Sequence, residues 1–340
     1  MCELADGGTM PLEQGEVRCS WTRGLIQSKP RAGGRSTVHE AAVHCVLQPR
    51  AGIRIHLVCH TKTPLTMNTD TRSSPLNDID FDALKHQMHN APGFPHFCID
   101  NFLEASFANQ VHDAFPAYSE AEKMGKTFDA VNEKKKTQIT DSRLFPPPIL
   151  RLHEVLASDE FVAKMSYMSG IPDLQADPGL SGGGIHETNH GGRLDVHVDF
   201  NFNDELGLYR RLNVLIYFNK DWQEAYGGYL DLWDKDVLTC LGRFAPSFNR
   251  AAGFATSHIS WHGVTPVNCP PGEMRKSFAV YYYSKEPAPG WDGVKRSTVF
   301  RARPDEYWKG GVAMPAENIV RATRRTVRSV KQKMKDLLSR

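Results

Sequence analysis

No run of eighteen apolar residues occurs in this chain, so no transmembrane helix is expected. The N-terminus has no charged stretch followed by an apolar one, and it does not read as a signal peptide. Cysteine is sparse and uneven: there are 7, scattered and odd in number, with Cys2, Cys19, Cys45 and Cys59 all before residue 67. Such a set excludes a disulfide framework and fits a reducing, cytoplasmic setting. Excess charge is missing as well. Lys and Arg number 41 against 39 Asp and Glu, and the net +2 gives the whole protein no reason to seek nucleic acid. The 340 residues, 40% hydrophobic, suit one substantial soluble domain or two small ones.

What is present is concentrated in two places. The run Gly191-Gly192-Arg193-Leu194-Asp195-Val196-His197-Val198-Asp199-Phe200 carries a His-x-Asp pair, and Trp261-His262-Gly263-Val264 followed by Arg275-Lys276-Ser277 answers it. Residues i and i+2 of a strand point the same way, so His197 and Asp199 can reach one metal while Val196 and Val198 face an apolar layer. Two imidazoles and a carboxylate on one face of an octahedral iron leave three positions open, two for a chelating keto acid and one for dioxygen. Arg275 offers a planar fork for the keto acid's far carboxylate, and Ser277 shares its face. Taken singly, His197 could be a strand histidine bonded to a neighbour, and Arg275 a surface charge. The order of the pieces carries the functional reading. His258 competes with His262 as the distal histidine, but its neighbours Thr256, Ser257 and Ser260 suit an exposed turn.

From about Gly182 to Lys285 the chain resembles the catalytic core of the Fe(II)/2-oxoglutarate dioxygenases, in their prolyl 4-hydroxylase-like branch. The matching pieces are His197-Val198-Asp199, the strand Leu212 to Trp222, Gly227-Gly228-Tyr229-Leu230-Asp231-Leu232, Trp261 to Val267 and Arg275-Lys276-Ser277. Pro95 to Leu103 also resembles the strand-to-helix entry of many such domains. The resemblance implies a mainly β fold with flanking helices (α+β) around a double-stranded β-helix, or jelly-roll, core. It implies His197, Asp199 and His262 as catalytic iron ligands, with Arg275 anchoring 2-oxoglutarate and Tyr217 beside the same carboxylate. Some relatives use a lysine there; by alternation Lys276 points away from Arg275. The implied cofactors are Fe(II), 2-oxoglutarate and O2, with ascorbate as an accessory. The implied products are succinate, carbon dioxide and a hydroxylated C–H position. Halogenating relatives lack the carboxylate ligand; Asp199 is present, which points to hydroxylation.

Four segments are expected. Residues 1–66 show no sustained period and read as a disordered or non-native extension before Met67; His39, His44, Cys45, His56, Cys59 and His60 match no zinc-finger spacing. Residues 67–175 are a support region, with helices expected at Leu103 to Phe115 and Ile149 to Ala157 and a charged loop or lid at Glu120 to Lys136. Residues 176–290 are the catalytic core, with a hairpin or bulge at Gly227-Gly228. Residues 291–340 form an extension ending in a basic amphipathic helix, Asn318 to Arg340, with 8 Lys or Arg and one acid. That helix is a candidate contact for anionic lipid, nucleic acid or another subunit, or packs its apolar stripe on the domain. Catalysis is expected to need neither end.

The substrate is the least legible feature: a small molecule or peptidyl group, with a prolyl or amino-acid-like group the first choice. Two other classes stand beside this reading. A cupin-like metal enzyme without 2-oxoglutarate has no use for Arg275, and a non-catalytic scaffold has no reason to keep His197, Asp199 and His262 together.

Overall fold

The computed structural model describes residues 24–27, 38–41 and 74–306. Contacts divide the chain into two units, residues 1–71 and 72–340. In the first, β1 (Gly24–Gln27) and β2 (Val38–Ala41) form an antiparallel pair. Apart from His39, the zinc candidates lie outside the described residues, and so does the basic helix expected at Asn318 to Arg340.

The second unit begins with α1 (Phe81–His89), β3 (His96–Ile99), α2 (Ala105–Asp113), α3 (Tyr118–Met124), β4 (Lys126–Phe128) and β5 (Glu133–Ile139). Then come α4 (Pro147–Ala157), α5 (Asp159–Ser169), β6 (Gln175–Ala176), β7 (Gly184–Val198), β8 (Phe202–Asn203) and β9 (Leu208–Tyr217). The remainder is β10 (Leu230–Trp233), β11 (Cys240–Phe244), β12 (Arg250–Ala255), β13 (Trp261–Val264), β14 (Arg275–Ser284) and β15 (Val299–Phe300). All strand pairings of this unit are antiparallel, and they join thirteen strands into one hydrogen-bonded network. The result is a nearly closed barrel, the jelly-roll expected from the sequence.

Strand β7 makes the closure possible. Its residues 184–188 pair with β14, and its later residues Leu194 and His197 pair with β13, so one long strand serves two sheets. Side-chain alternation then sorts β9 and β14 into two faces. Val214, Ile216, Phe278, Val280 and Tyr282 point outward into a core shared with Leu152, Leu156, Phe161 and Met165 of α4 and α5. Leu215, Tyr217, Ala279 and Tyr281 point inward.

The helices that buttress the outer face are punctuated by local chemistry. Pro147 opens α4 where its missing N–H costs nothing, and the Ser158 hydroxyl accepts from the Phe161 N–H to start α5. Gly170 ends α5 in the left-handed region, at φ 69°. Alternation and caps locate α2 and α4 within two residues of the sequence expectation. The charged stretch Glu120 to Lys136 is different: it is not an irregular loop but holds most of α3, all of β4 and the start of β5. High charge density concealed these elements because much of that surface faces solvent.

Two strands lie outside the 176–290 segment expected for the core yet pair with β7 inside it. They are β5, before it, and β15, after it. No helix among the described residues is long and apolar enough to cross a membrane.

Candidate metal centre and cosubstrate pocket

His197 and His262 are direct partners across β7 and β13, which brings their rings to a centroid separation of 4.2 Å. Asp199 completes the cluster: one ligand atom from each of the three residues lies within 4.8 Å of the others. His197 Nε2 is 3.6 Å from Asp199 Oδ1, and His262 Nε2 is 3.5 Å from Asp199 Oδ2. Each histidine is oriented the same way. His197 Nδ1 lies 2.9 Å from the Asp195 carbonyl oxygen, and His262 Nδ1 lies 2.9 Å from that of Ser260. A carbonyl oxygen only accepts, so each Nδ1 carries the proton and each Nε2 presents a lone pair toward the carboxylate. Two imidazole nitrogens and one carboxylate oxygen converging on one point are a donor set suited to ferrous iron.

The electrostatics keep these donors in their ligating forms. Burial, together with the nearby His197, drops His262 to about 3, well below an ordinary imidazole. Burial alone would raise Asp199, but Arg210 and the two imidazoles outweigh it and hold the carboxyl well below its usual range. Arg210 Nη2 reaches Asp199 Oδ2 at 3.0 Å, and Asn213 Nδ2 donates to the same oxygen at 2.8 Å. Arg210 also donates from Nε to Asn213 Oδ1 at 2.8 Å and lies 3.4 Å above the Tyr281 ring.

Sequence reasoning missed Arg210 and Asn213 because residues three apart on a regular strand face opposite ways. A register shift between Tyr282 and Tyr283 skips Arg211, and that bulge turns Arg210 onto the face of Asn213. Nothing in the sequence marks it.

The cosubstrate candidates gather nearby. Ser277 pairs with Tyr217 across β14 and β9, and with His186 across β14 and β7. Arg275 is buried; its Nε donates to the Gly228 carbonyl at 2.7 Å and its Nη1 to Ser277 Oγ at 3.4 Å. Two neighbouring groups are left over: Arg275 Nη2 and the Tyr217 hydroxyl are both buried, lie beside each other and make no well-formed hydrogen bond. Their Arg-over-ring separation is 5.0 Å, and two such orphaned donors side by side suit a carboxylate. The Gly227-Gly228 pair permits this placement. Both have positive φ, and a Cβ on Gly228 would lie 3.0 Å from Arg275 Cδ.

Lys276 points to the other face, where burial lowers its pKa and Glu187 lies near it. His258 sits exposed in the turn before β13, against Gly290, and is not part of the three-residue cluster. Asp195 is fully buried and ion-paired to Arg193 at 3.3 Å, so only Arg193 of that pair lines the cavity. The metal cluster and Arg275 open into one cavity of about 620 Å³. Phe300 of β15 forms part of its wall, 5.4 Å from the His197 ring.

Residues 183–283 match the family model of the 2OG-Fe(II) oxygenase superfamily. No curated protein matches the chain. Among solved structures, a prolyl hydroxylase from Trichoplax adhaerens, in complex with a hypoxia inducible factor peptide fragment, is 18% identical with a TM-score of 0.44. The match covers 60% of this chain and 88% of that one. A prolyl-4-hydroxylase from Pseudomonas putida is 15% identical with a TM-score of 0.44, over 60% of this chain and 99% of that one. HygX from Streptomyces hygroscopicus, solved with nickel, 2-oxoglutarate and hygromycin B, is 13% identical with a TM-score of 0.41, over 58% and 86%. The matched segment is a domain of the 2OG-Fe(II) oxygenase superfamily. Through that segment the chain carries a 2OG-Fe(II) oxygenase domain, a family whose cofactor set is Fe(II), 2-oxoglutarate and O2.

Proposed function

We propose that His197, Asp199 and His262 hold the iron, that Arg275, Tyr217 and Ser277 hold the far carboxylate of 2-oxoglutarate, and that the enzyme hydroxylates a prolyl or amino-acid-like group. When bound, the iron would let O2 oxidise 2-oxoglutarate and substrate together, one oxygen atom ending in succinate as carbon dioxide is released and the other as a hydroxyl on an unactivated C–H carbon. The protein's own groups do the rest. Asp195 and Ser260 carbonyls fix the tautomers of the two histidines. Arg210 and Asn213 hold Asp199 by one oxygen and leave the other free. Arg275 and Tyr217 set the keto acid in one orientation, and Phe254 and Phe300 flank the histidines against water.

The observation that carries this reading is the pairing of a buried His-Asp-His cluster with two orphaned buried donors on adjacent strands of the same barrel. The orphaned donors also oppose a metal enzyme that does not use 2-oxoglutarate, because burying a guanidinium charge beside no carboxylate is costly. A reducing, cytoplasmic location is part of the proposal, supported by Cys98, Cys240 and Cys269 all being unpaired. The prolyl-like substrate is supported by the sequence resemblance to the prolyl 4-hydroxylase-like branch. Succinate release across a panel of prolyl peptides and free amino acids tests it. Stimulation by a prolyl compound supports the assignment, and stimulation confined to compounds without a pyrrolidine ring would remove it.

A further inference from the structure

The wall of the cavity formed by β4 and β5 carries charges that neither the metal cluster nor the keto-acid anchor uses. In a regular strand Glu133 and Lys136 would face opposite ways. The register between β5 and β7 shifts between Lys134 and Lys136, and the extra residue, Lys135, takes a left-handed φ of 45°. A non-glycine residue is seldom held there. The bulge turns Lys136 back onto the cavity face beside Glu133, and Lys136 Nζ meets Glu133 Oε1 at 2.9 Å with both side chains largely buried.

A second ammonium lies near the same aromatic ring. Lys126 Nζ lies 4.4 Å from the centroid of Phe128 and Lys136 Nζ lies 5.4 Å from it, so both like charges lie close to one ring. All three of these residues line the cavity, with Arg193 on the adjoining strand β7. Arg193 is neutralised by Asp195, and Lys136 by Glu133. Lys126 is exposed and has no such carboxylate. Arg210 is matched by Asp199, and Arg275 is reserved for the cosubstrate. The cavity wall therefore keeps an unneutralised positive charge, with Lys126 and Lys136 near one aromatic ring and Arg193 on the same wall.

We propose that Lys126, Lys136 and Arg193 form a subsite for an oxyanion, a carboxylate or phosphoryl group, carried by the substrate on the part of the molecule that is not oxidised. This rests on the 2-oxoglutarate reading of the same cavity and adds the substrate's charge to it. An anion there would bridge the two ammonium groups and relieve their mutual repulsion. Glu133 acts as its competitor, holding Lys136 in place until the anion arrives.

The test is calorimetric, on the full chain loaded with Mn(II) and 2-oxoglutarate. The probes are N-acetyl-prolyl-glutamate amide, its uncharged glutamine counterpart, and inorganic phosphate. The glutamate probe should bind about tenfold more tightly than the glutamine one, the worth of a charge-assisted hydrogen bond. Lys126→Glu, at an exposed site that tolerates it, should abolish that preference. Glu133→Gln should strengthen anion binding by freeing Lys136. Preference for the glutamate probe assigns a carboxylate, and binding of phosphate alone assigns a phosphoryl group. Equal binding of the two peptides without phosphate binding, or a preference that survives Lys126→Glu, overturns the subsite. Loss of 2-oxoglutarate affinity in Lys126→Glu also overturns it, because the lysine would then belong to the keto-acid anchor. Failure of 2-oxoglutarate to bind the Mn(II)-loaded wild type counts against the cosubstrate reading instead, and the charge preference of the probes still decides the subsite.

Discussion

His197 and His262 occupy the same rung of the β7–β13 pair, and each spends its Nδ1 proton on the carbonyl of the residue two positions before it. The repeated i−2 contact gives both rings the same tautomer and aims both Nε2 atoms at Asp199. A strand pair thereby orients two imidazoles as a separate carboxylate partner does at many metal sites.

The orphaned donors near Ser277 lead to the first prediction. Arg275→Ala removes the fork, and apparent affinity for 2-oxoglutarate should fall at least about tenfold, ~1.4 kcal/mol or more, with little change in metal affinity. Tyr217→Phe should cost less, since one neutral hydrogen bond is lost. Titration of 2-oxoglutarate into the Mn(II)-loaded variants measures both. Unchanged affinity in Arg275→Ala would move the anchor to another cation.

Asn213 touches the metal cluster only through Asp199. In Asn213→Ala the carboxylate keeps Arg210 but loses a 2.8 Å hydrogen bond and its fixed rotamer. Removing such a supporting group weakens metal binding by roughly 10- to 100-fold. Competition with a metallochromic chelator reads the change, and Asn213→Asp should be worse because it sets a second negative charge beside the first.

These contacts divide cleanly by what a sequence can display. The shared faces of His197 and Asp199, and of Arg275 and Ser277, were legible because each pair is two residues apart on a strand, where alternation fixes direction, and His262 was singled out by the motif order of the resemblance. Arg210 and Lys136 were not, since each reaches the cavity through a bulge that reverses the alternation. Phe300 was assigned to a tail because its pairing partner on β7 lies about a hundred residues earlier, and no local pattern records that contact. The barrel itself was recognisable from its ordered motifs, but the two strands β5 and β15 that extend it were not.

Glu187 supplies a pH prediction. It is fully buried on β7, neither carboxyl oxygen has a hydrogen-bond partner, and burial pushes its pKa up to about 8. The folded state holds this proton more tightly than the unfolded chain, whose value is near 4.5. Stability from this group is therefore complete below about pH 4.5 and is lost as pH rises through about 8, at ~1.4 kcal/mol per tenfold change in proton affinity. Glu187→Gln should match the wild type in melting temperature near pH 5 and exceed it near pH 9. Parallel melting curves for the two proteins across that range would show that Glu187 ionises freely in the fold.

The last strand gives a truncation test. A chain ending at Glu306 keeps β15, whereas one ending at Pro289 loses Val299 and Phe300 and uncovers the ring of His197. The longer chain should bind Mn(II) like the full protein, and the shorter should bind it more weakly and melt earlier. Equal metal affinity in both would make β15 a bystander.

The central claim is that one His-Asp-His cluster drives the turnover of 2-oxoglutarate, and ferrous-dependent succinate formation by His262→Ala beside His258→Ala tests it most directly. His258→Ala should retain wild-type succinate formation, and His262→Ala should lose it while keeping the wild-type circular dichroism spectrum. Full activity in a folded His262→Ala, with loss in His258→Ala, would contradict the assignment.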